Sequence, residues 1–377
     1  MPSLPDFKLE THFSRWEFKA RHHLTASDAQ SLSLKELLAM ATEAERGAFE
    51  NLWLGYTETH GAPELREAIA ETYQRQSAKN ILCFAGAEEG IYIANHVLLE
   101  KTDHAIVVTP NYQAAETIPL AICDVSGVGL DPDNDWDLDL DRIAAAIRPN
   151  TKLIHINFPH NPTGKIIARE TLEGLIDLCR RHGIWLFSDE VYRSLGPKPE
   201  RQLPQVADLY ERGLSLNVMS KAYGLPGLRI GWIATTDERL LGKMERMKHY
   251  LSICNSAPSE RLAIIALRNR EQILARNNML VRSNLVLLKE FFDEFPALFE
   301  WREPDGGCVG YPRYVGEGSV DEFTTDLVEQ AGVLLLPSGI YKSDLGQVPT
   351  DRFRIGFGRA NLAEGLAAFR NHLFRNQ

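Results

Sequence analysis

The chain has 377 residues, of which 44% are hydrophobic and 24% are charged, a composition typical of a globular protein with a sizeable core. This length exceeds one ordinary domain and favours a large domain with a smaller partner. The net charge of −10, with no long run of Lys or Arg, argues against a nucleic-acid partner, because phosphate backbones require a basic face.

The amino-terminal segment MPSLPDFKLETHF contains acidic residues and lacks the apolar core of a signal peptide. The longest apolar runs are far shorter than the ~20 residues that span a bilayer. We therefore expect a cytoplasmic protein without a membrane-spanning segment. The cysteines are scattered and include no C-x-x-C pair, so we expect reduced, buried thiols and no metal site. They are Cys83, Cys123, Cys179, Cys254 and Cys308.

Helical and strand patterns alternate from about residue 65 onward, after a partly helical segment over 34–48. Such alternation predicts a largely parallel sheet that is covered by helices. The predicted helices are 65–76, 90–99, 138–147 and 171–182, and the predicted strands are 81–84, 105–109, 152–158, 185–188, 215–219 and 230–235.

After Pro258 the pattern changes to long helical periodicity and indicates a second, smaller unit. One extended helix is predicted over 271–295, where Pro296 ends it. The remaining elements mix in an α+β pattern, with strands 308–312, 333–336 and 352–357 and helices 320–331 and 362–373.

The most specific motif is SKAYGLPGLRIGW, residues 220–232. It places a lysine directly after an apolar strand and an arginine eight residues later, beyond a glycine-rich turn. The amine of Lys221 can form an imine with an aldehyde cofactor, and the guanidinium of Arg229 can bind a phosphate through two hydrogen bonds. For an isolated pair, a surface lysine and a solvated arginine would be the better interpretation, but the length of this motif favours the site.

Two loops that follow predicted strands carry polar groups suited to the same cofactor. Asn161, held extended before Pro162, can direct its amide at a ring oxygen. Asp189 can pair with a protonated pyridinium nitrogen, and Tyr192 can reach the phenolic oxygen. In isolation, the N-P-T-G segment that begins at Asn161 would indicate only a turn, and the D-E-x-Y segment from Asp189 to Tyr192 would more often cap a helix.

The segment AGAEEG, residues 85–90, joins a strand to a helix. The backbone N–H groups of Gly86, Ala87 and Glu88 can therefore bind a phosphate at a helix N-terminus, although a simple tight turn is equally compatible. Tyr112 follows another strand and can stack on a flat ring, with core packing as the alternative.

Together these motifs resemble fold-type I pyridoxal 5′-phosphate (PLP) enzymes of the class I/II aminotransferase family, from residue 56 to residue 358. The resemblance implies an α/β fold of the aspartate aminotransferase type, with a three-layer sandwich as the large domain and a smaller α+β domain. Residues 1–48 would form an N-terminal arm and part of the small domain, 49–280 the large PLP-binding domain, and 281–377 the C-terminal small domain.

The same resemblance implies a role for each motif residue. Lys221, next to Ser220 in the cofactor site, would carry PLP as a Schiff base and move the proton between Cα and C4′. Arg354, in FRIGFG, would bind the substrate α-carboxylate, with Asn161 nearby. Tyr56 would reach the phosphate of the neighbouring subunit's cofactor, which implies a homodimer with shared active sites.

Three departures from the family pattern bear on binding. Val218 stands where many relatives have a hydroxyl that contacts phosphate, and Glu88 is an acid inside a phosphate loop, so we expect its side chain to turn away. Asp28 stands in the region of the usual substrate loop and predicts a basic or hydrogen-bonding substrate side chain. The alternative is that Asp28 caps the helix entering at Leu34 or faces water.

The leading hypothesis is an aminotransferase that acts on an amino acid and a 2-oxo acid. The alternative is a PLP-dependent cyclase or lyase acting on a modified amino acid such as a hydroxyarginine, because segments around 155–162, 220–232, 248–260 and 305–308 resemble family members that cyclise one. A nicotinamide oxidoreductase would need G-x-G-x-x-G, which does not occur. A transcription regulator of this fold would need an additional basic DNA-binding domain.

Overall fold

A computed structural model describes residues 4–375 of the chain. Its α-helices are α1 Lys8–Trp16, α2 Leu34–Ala39, α3 Glu43–Glu50, α4 Pro63–Ala70, α5 Ala87–Leu98, α6 Ala114–Leu120, α7 Leu140–Ala146, α8 Arg169–His182, α9 Val206–Leu209, α10 Glu238–Lys248, α11 Ala257–Arg268, α12 Arg270–Glu294, α13 Val320–Ala331 and α14 Leu362–Arg375. Its strands are β1 His22–His23, β2 Ile81–Phe84, β3 His104–Thr109, β4 Asp124–Gly129, β5 Thr151–Asn157, β6 Trp185–Asp189, β7 Gly213–Val218, β8 Gly231–Ala234, β9 Phe299–Glu300, β10 Val309–Gly310, β11 Arg313–Tyr314, β12 Val333–Leu334, β13 Leu336–Pro337 and β14 Phe353–Gly356.

A seven-stranded sheet with the order β2-β8-β7-β6-β5-β3-β4 forms the centre of the molecule. Neighbouring strands pair in parallel, except that β8 runs antiparallel to both β2 and β7. The prediction of a largely parallel sheet is therefore confirmed.

Helices cover both faces of this sheet, as the alternation of side chains along β2 illustrates. Leu82 and Phe84 pack in one core with apolar residues of α5 and α10. Ile81 and Cys83 point the opposite way, into a core shared with α4, α11 and α12. Burial on both faces explains why these strands are nearly continuous apolar runs, and the predicted α/β three-layer sandwich is confirmed.

The strand directions gather several loops at one edge of the sheet. The carboxyl ends of β2, β3, β5, β6 and β7 all lie there because these strands run the same way. The reversed strand β8 begins at that edge, where Gly231 pairs with both Phe84 and Val218. Such an edge is where open α/β sheets bind ligands.

The smaller unit combines a three-stranded sheet, in the order β10-β14-β13, with α12, α13 and α14. Its core is rich in aromatic rings, including Phe291, Phe299, Phe353 and Phe369. The amino-terminal strand β1 pairs in parallel with β12 of this unit. The boundaries at 48 and 280 stay a prediction, and α12 runs unbroken through the second of them.

Several elements were missed because their sequence signals are weak. Edge strand β4 contains Asp124, Ser126 and two glycines, which are poor strand formers, and α6 contains Pro119.

The cysteines are free, but Cys123 and Cys254 are only half-buried, contrary to the expectation of buried thiols. Within residues 4–375, no helix is both long and apolar enough to cross a membrane.

Candidate active site

A cleft of about 430 Å³ opens at the carboxyl edge of the sheet and is closed on one side by α1 and residues 23–28. Most residues predicted for the site line this cleft. They are Asp28, Ala87, Glu88, Tyr112, Asn161, Asp189, Tyr192, Ser220, Lys221, Arg229 and Arg354. Gly86 lies directly beside it at the start of α5, and Tyr56 lies elsewhere on the surface.

Lys221 follows the end of β7 and projects its amine into the cleft. Its Nζ donates a hydrogen bond to Ser27 Oγ at 2.8 Å and lies 5.7 Å from the centre of the Tyr192 ring. Burial lowers the pKa of Lys221, which favours the neutral amine that reacts with an aldehyde. The Tyr192 hydroxyl also bonds Ser27, and burial raises the pKa of that phenol, so it remains protonated.

Asp189 ends β6 with its carboxylate buried at 7% exposure. It accepts a hydrogen bond from the Val191 N–H at 3.2 Å, and it forms no salt bridge with any residue between 4 and 375. Burial raises the pKa of Asp189 to about 6. A buried carboxylate without a cationic partner is costly, so this position fits the positively charged ring nitrogen of PLP.

Asn157 links the loop that carries Asn161 to the end of β6, which carries Asp189. Its Nδ2 donates to the Asp189 carbonyl oxygen at 2.9 Å, and its Oδ1 accepts from the Asn161 N–H at 2.9 Å. Asn157 and Asp189 are also direct partners in the sheet. The ends of β5 and β6 therefore present Asn161 and Asp189 as one unit.

The opposite end of the cleft has groups that can bind an anion. Gly86 has a φ of +98° and precedes α5, whose N-terminus has no side-chain cap. The Arg229 guanidinium lies against Gly86, where an added Cβ would clash with it, and its Nη1 reaches Ser220 Oγ at 3.5 Å. Uncapped N–H groups beside a guanidinium fit the phosphate of PLP. Val218 also lines the cleft and presents an apolar surface to it.

The Glu88 side chain does not turn away from the cleft, contrary to the expectation from the sequence. It lines the cleft and hydrogen-bonds with Tyr112, and burial raises the pKa of Glu88 to about 7. The Tyr112 ring also packs against Phe7, with ring centres 5.2 Å apart. Glu88 and Tyr112 therefore lie side by side in the wall of the cleft near the phosphate end.

Arg354 is 1% exposed and is held by neutral acceptors. Its Nη1 donates to Asn161 Oδ1 at 3.0 Å and its Nη2 to the Thr25 carbonyl oxygen at 2.8 Å, while Nε has no hydrogen-bond partner. The Tyr341 hydroxyl donates to the same Asn161 oxygen at 3.2 Å. A buried guanidinium with no carboxylate partner fits the α-carboxylate of an amino acid.

Asp28 lines the cleft, but its carboxylate already has a cationic partner. Its Oδ1 accepts from Arg359 Nε and Nη2 at 3.2 and 3.0 Å, and its Oδ2 accepts from Nη2 at 3.0 Å. Its role as an anchor for a basic substrate side chain stays a prediction, whereas the capping alternative is wrong, because Ser33 caps α2. Arg359 lines the cleft and was missed, although it follows the FRIGFG motif directly.

A second missed residue, Lys248, is fully buried behind the phosphate loop. Its Nζ donates to the carbonyl oxygens of Thr59 and Cys83 at 2.6 and 2.7 Å and to Asn255 Oδ1 at 2.7 Å. Asn255 in turn donates to the Phe84 carbonyl oxygen at 2.8 Å. The ammonium group therefore fixes the end of β2, immediately before the phosphate loop, to the segment that follows residue 56.

Tyr56 is 88% exposed and does not reach the cleft of its own chain. Trp53, Leu54 and Tyr250 are exposed to a similar degree. A hydrogen bond of 3.0 Å from Thr57 Oγ1 to the Asn255 carbonyl oxygen joins the segment around Tyr56 to the segment that follows Tyr250. These residues therefore form an exposed aromatic surface outside the cleft.

The family model for aminotransferase class I and II matches residues 23–369. The chain belongs to this family. It is 28% identical over 376 residues to capreomycidine synthase of Streptomyces vinaceus, covering 98% of this chain and 94% of that protein. It is 29% identical over 306 residues to an aspartate aminotransferase of Pyrococcus horikoshii, covering 78% of this chain and 77% of that protein. A solved PLP-dependent aminotransferase of Streptococcus suis has a TM-score of 0.92 at 29% identity, covering 99% of this chain and 98% of that one.

PLP is therefore the cofactor of this enzyme, and the cleft fits each of its polar groups. Among the residues that line the cleft, Lys221 would meet the aldehyde of PLP, Asp189 would pair with its ring nitrogen, and Arg229 with the start of α5 would hold its phosphate. The two remaining cations that line the cleft are Arg354 and the Asp28-bound Arg359.

Replacing Lys248 by methionine tests its role in fixing the phosphate loop. The change leaves three acceptors without their donor, and the two buried ones, the Cys83 carbonyl oxygen and Asn255 Oδ1, each cost about 1–3 kcal/mol. We expect a lower melting temperature and faster loss of PLP on dialysis. The exposed Lys243→Met on the same helix is the matched control. Unchanged melting and PLP retention in Lys248→Met would contradict the role.

Replacing Asp28 by asparagine keeps its size but leaves the Arg359 charge unpaired in the cleft. We expect kcat/KM for aspartate and glutamate to rise about tenfold relative to leucine, because a partly exposed cation becomes available to a second carboxylate. Asp133→Asn, an exposed change outside the cleft, is the control. An equal change for all three substrates would show that the Asp28–Arg359 pair has no part in selection.

Proposed function

We propose that this enzyme is an aminotransferase that moves the amino group of an L-amino acid to a 2-oxo acid, with Lys221 as its catalytic amine. One observation carries the proposal: the half-buried Lys221 lies in the same cleft as a buried carboxylate, Asp189, and a buried guanidinium, Arg354. Ring activation, proton transfer and carboxylate binding are the three functions that transamination requires of the protein.

When bound, PLP supplies an aldehyde that condenses with amines and a ring that accepts the electron pair released at Cα. Arg354 binds the α-carboxylate and orients the Cα–H bond towards Lys221. Asp189 keeps the ring nitrogen protonated, because a nearby carboxylate favours the charged form of that base. Lys221, as the free amine, would remove the Cα proton and deliver it to C4′ of the cofactor. Water would supply the carbonyl oxygen of the 2-oxo acid product, the amino group would stay with the cofactor, and a second 2-oxo acid would take it up and return the water.

Ser27 positions the amine for this transfer. Its Oγ accepts from Lys221 Nζ and bonds the Tyr192 hydroxyl, so the lysine is held from two sides of the cleft. The lowered pKa of Lys221 supports its role as the base, because a larger fraction of the amine is unprotonated at neutral pH.

A PLP-dependent cyclase or lyase is the second candidate, with a modified amino acid such as a hydroxyarginine as its substrate. The similarity to capreomycidine synthase, which extends over nearly the whole of both chains, supports it. Removal of the Cα proton by Lys221 is common to both reactions, and the difference is whether a β-substituent then leaves. The two are distinguished by mass spectrometry: transamination requires a 2-oxo acid and converts it to an amino acid, whereas elimination or cyclisation proceeds without one.

Replacing Lys221 by alanine tests the central assignment. We expect the lysine adduct that borohydride traps in the holoenzyme to disappear, and turnover of a panel of amino acids with pyruvate or 2-oxoglutarate to fall by about 10²–10⁴-fold. Lys243→Ala, an exposed lysine on α10, should retain both. A trapped adduct that persists at another lysine in Lys221→Ala would overturn the assignment.

A homodimer with shared sites completes the proposal. The exposed aromatic surface around Tyr56 supports it, because apolar patches of this kind are typical of protein interfaces. The hydrogen bond from Lys248 to the Thr59 carbonyl oxygen supports the homodimer further, since this bond holds the chain next to Tyr56 close to the phosphate loop. In such a dimer, Tyr56 would act on the cofactor phosphate of the partner subunit.

Subunit mixing tests whether Tyr56 acts across the interface. Lys221→Ala and Tyr56→Ala chains are each impaired, but a mixed dimer would contain one intact site. With random pairing, we expect activity to return to at most about a quarter of the parent value. Mixing Lys221→Ala with Asp189→Ala is the control, because both residues belong to the same chain's cleft and no intact site can form. Verified subunit exchange without recovery would exclude action in trans.

A further inference from the structure

Helix α1 and the residue that follows it contribute two carboxylates to the cleft. Glu10 lies in α1, and Glu17 is its C-cap residue with helical backbone angles, seven residues later, so the two lie on one side of the helix and about 10 Å from each other along its axis. Phe13 lies between them on the same side and also lines the cleft. Glu10 and Glu17, on either side of Phe13, are called the acidic rim of the cleft below.

The reaction uses neither carboxylate of the rim, and the other unused acid of the cleft, Glu88, lies beside Tyr112 at the phosphate end. The cofactor accounts for Asp189 and Arg229, the substrate carboxylate accounts for Arg354, and Arg359 is paired with Asp28. Within residues 4–375, no Lys or Arg lies within salt-bridge distance of Glu10 or Glu17. The cleft therefore has an excess of negative charge at this side.

His23 does not neutralise the rim. Its Nε2 lies 3.7 Å from Glu17 Oε1, but burial lowers the pKa of His23 to about 4, so the ring is neutral at physiological pH. Burial, and then the neighbouring charge of Glu10, raises the pKa of Glu17, and the charge of Arg359 opposes this shift without reversing it.

The other side of the cleft points independently to a ligand with a carboxylate. Arg354 is buried, and its Nε has no hydrogen-bond partner. A ligand that satisfies both sides carries a carboxylate at one end and a cation at the other. An amino acid with a basic side chain has this distribution of charge.

We propose that Glu10 and Glu17 make this enzyme selective for amino acids whose side chain ends in a guanidinium or ammonium group, with Glu17 as the main specificity residue. The proposal rests on the function proposed above, since it takes the cleft as the substrate site. The methylene stem of such a side chain packs on Phe13, and the rim repels a second carboxylate.

The experiment uses ligand pairs that differ in charge but hardly in shape. Arginine and citrulline are the substrates. The non-reacting pair, 5-guanidinopentanoate and 5-ureidopentanoate, lacks the α-amino group, so titration calorimetry on the holoenzyme reports binding alone. In the parent enzyme we expect the cationic member of each pair to be preferred by about tenfold or more, in kcat/KM and in Kd.

Glu17→Gln removes the charge and keeps the shape of the side chain. We expect it to weaken 5-guanidinopentanoate binding and arginine turnover by about tenfold while leaving the neutral partners within about twofold. Glu17→Lys should reverse the order and favour glutamate over arginine. Glu290→Gln, an exposed change on α12, should alter none of these values. PLP retention and melting temperature, measured in parallel, identify any variant that fails to fold.

Two negative outcomes have different meanings. The parent enzyme could turn over leucine or aspartate without preferring the cationic member of either ligand pair, or Glu17→Gln could weaken binding of the cationic and neutral members equally. Either result would overturn the proposed selectivity of the acidic rim and leave the aminotransferase proposal standing. A holoenzyme that binds 5-guanidinopentanoate selectively through Glu17 but transaminates no amino acid overturns the proposed reaction and leaves the rim standing.

Discussion

The pairing of Gly231 with both Phe84 and Val218 determines where the cofactor site can form. Through this pairing, one reversed strand lies between two parallel ones, so its first residues meet the carboxyl ends of its neighbours. Arg229 thereby reaches the same edge as the phosphate loop after β2 and the lysine after β7. The approach leaves no room for a side chain, since a Cβ on Gly231 would lie 2.7 Å from the Gly86 carbonyl carbon. A small residue at this crossing is a condition for the phosphate cradle.

Desolvation gives the cleft its chemical character. Asp189 and Arg354 are buried and Lys221 is half-buried, and each lacks an ionic partner of opposite sign from the described chain at hydrogen-bond distance. Neutral groups such as Ser27 and Asn161 hold them in place instead. Charges arranged this way interact strongly with a ligand of matching charges, because little of their field is screened by water.

The fold and the cofactor half of the site could be predicted because their signals are contiguous in the chain. Lys221 and Arg229 share one motif, and Asp189 and Tyr192 share another, each at the end of an apolar strand. The substrate half could not be predicted in the same way. The Asp28–Arg359 pair joins residues 331 positions apart, and Ser27 meets Lys221 across 194 positions, so only tertiary folding reveals them. The position of Glu88 beside Tyr112, 24 residues later in the chain, was likewise not evident from the sequence.

Helix α1, which carries Glu10 and is followed directly by Glu17, is built into the molecule differently from the cofactor site. It lies outside the central sheet and is anchored near its start by a hydrogen bond of 2.8 Å from the Lys8 N–H to Gln113 and by the contact of Phe7 with Tyr112. Substitutions on its inner face leave β2, β7 and β8 untouched. Evolution can therefore vary the polarity of this wall one residue at a time while the catalytic frame stays constant, which offers a physical reason why one architecture serves a family with many different amino acids.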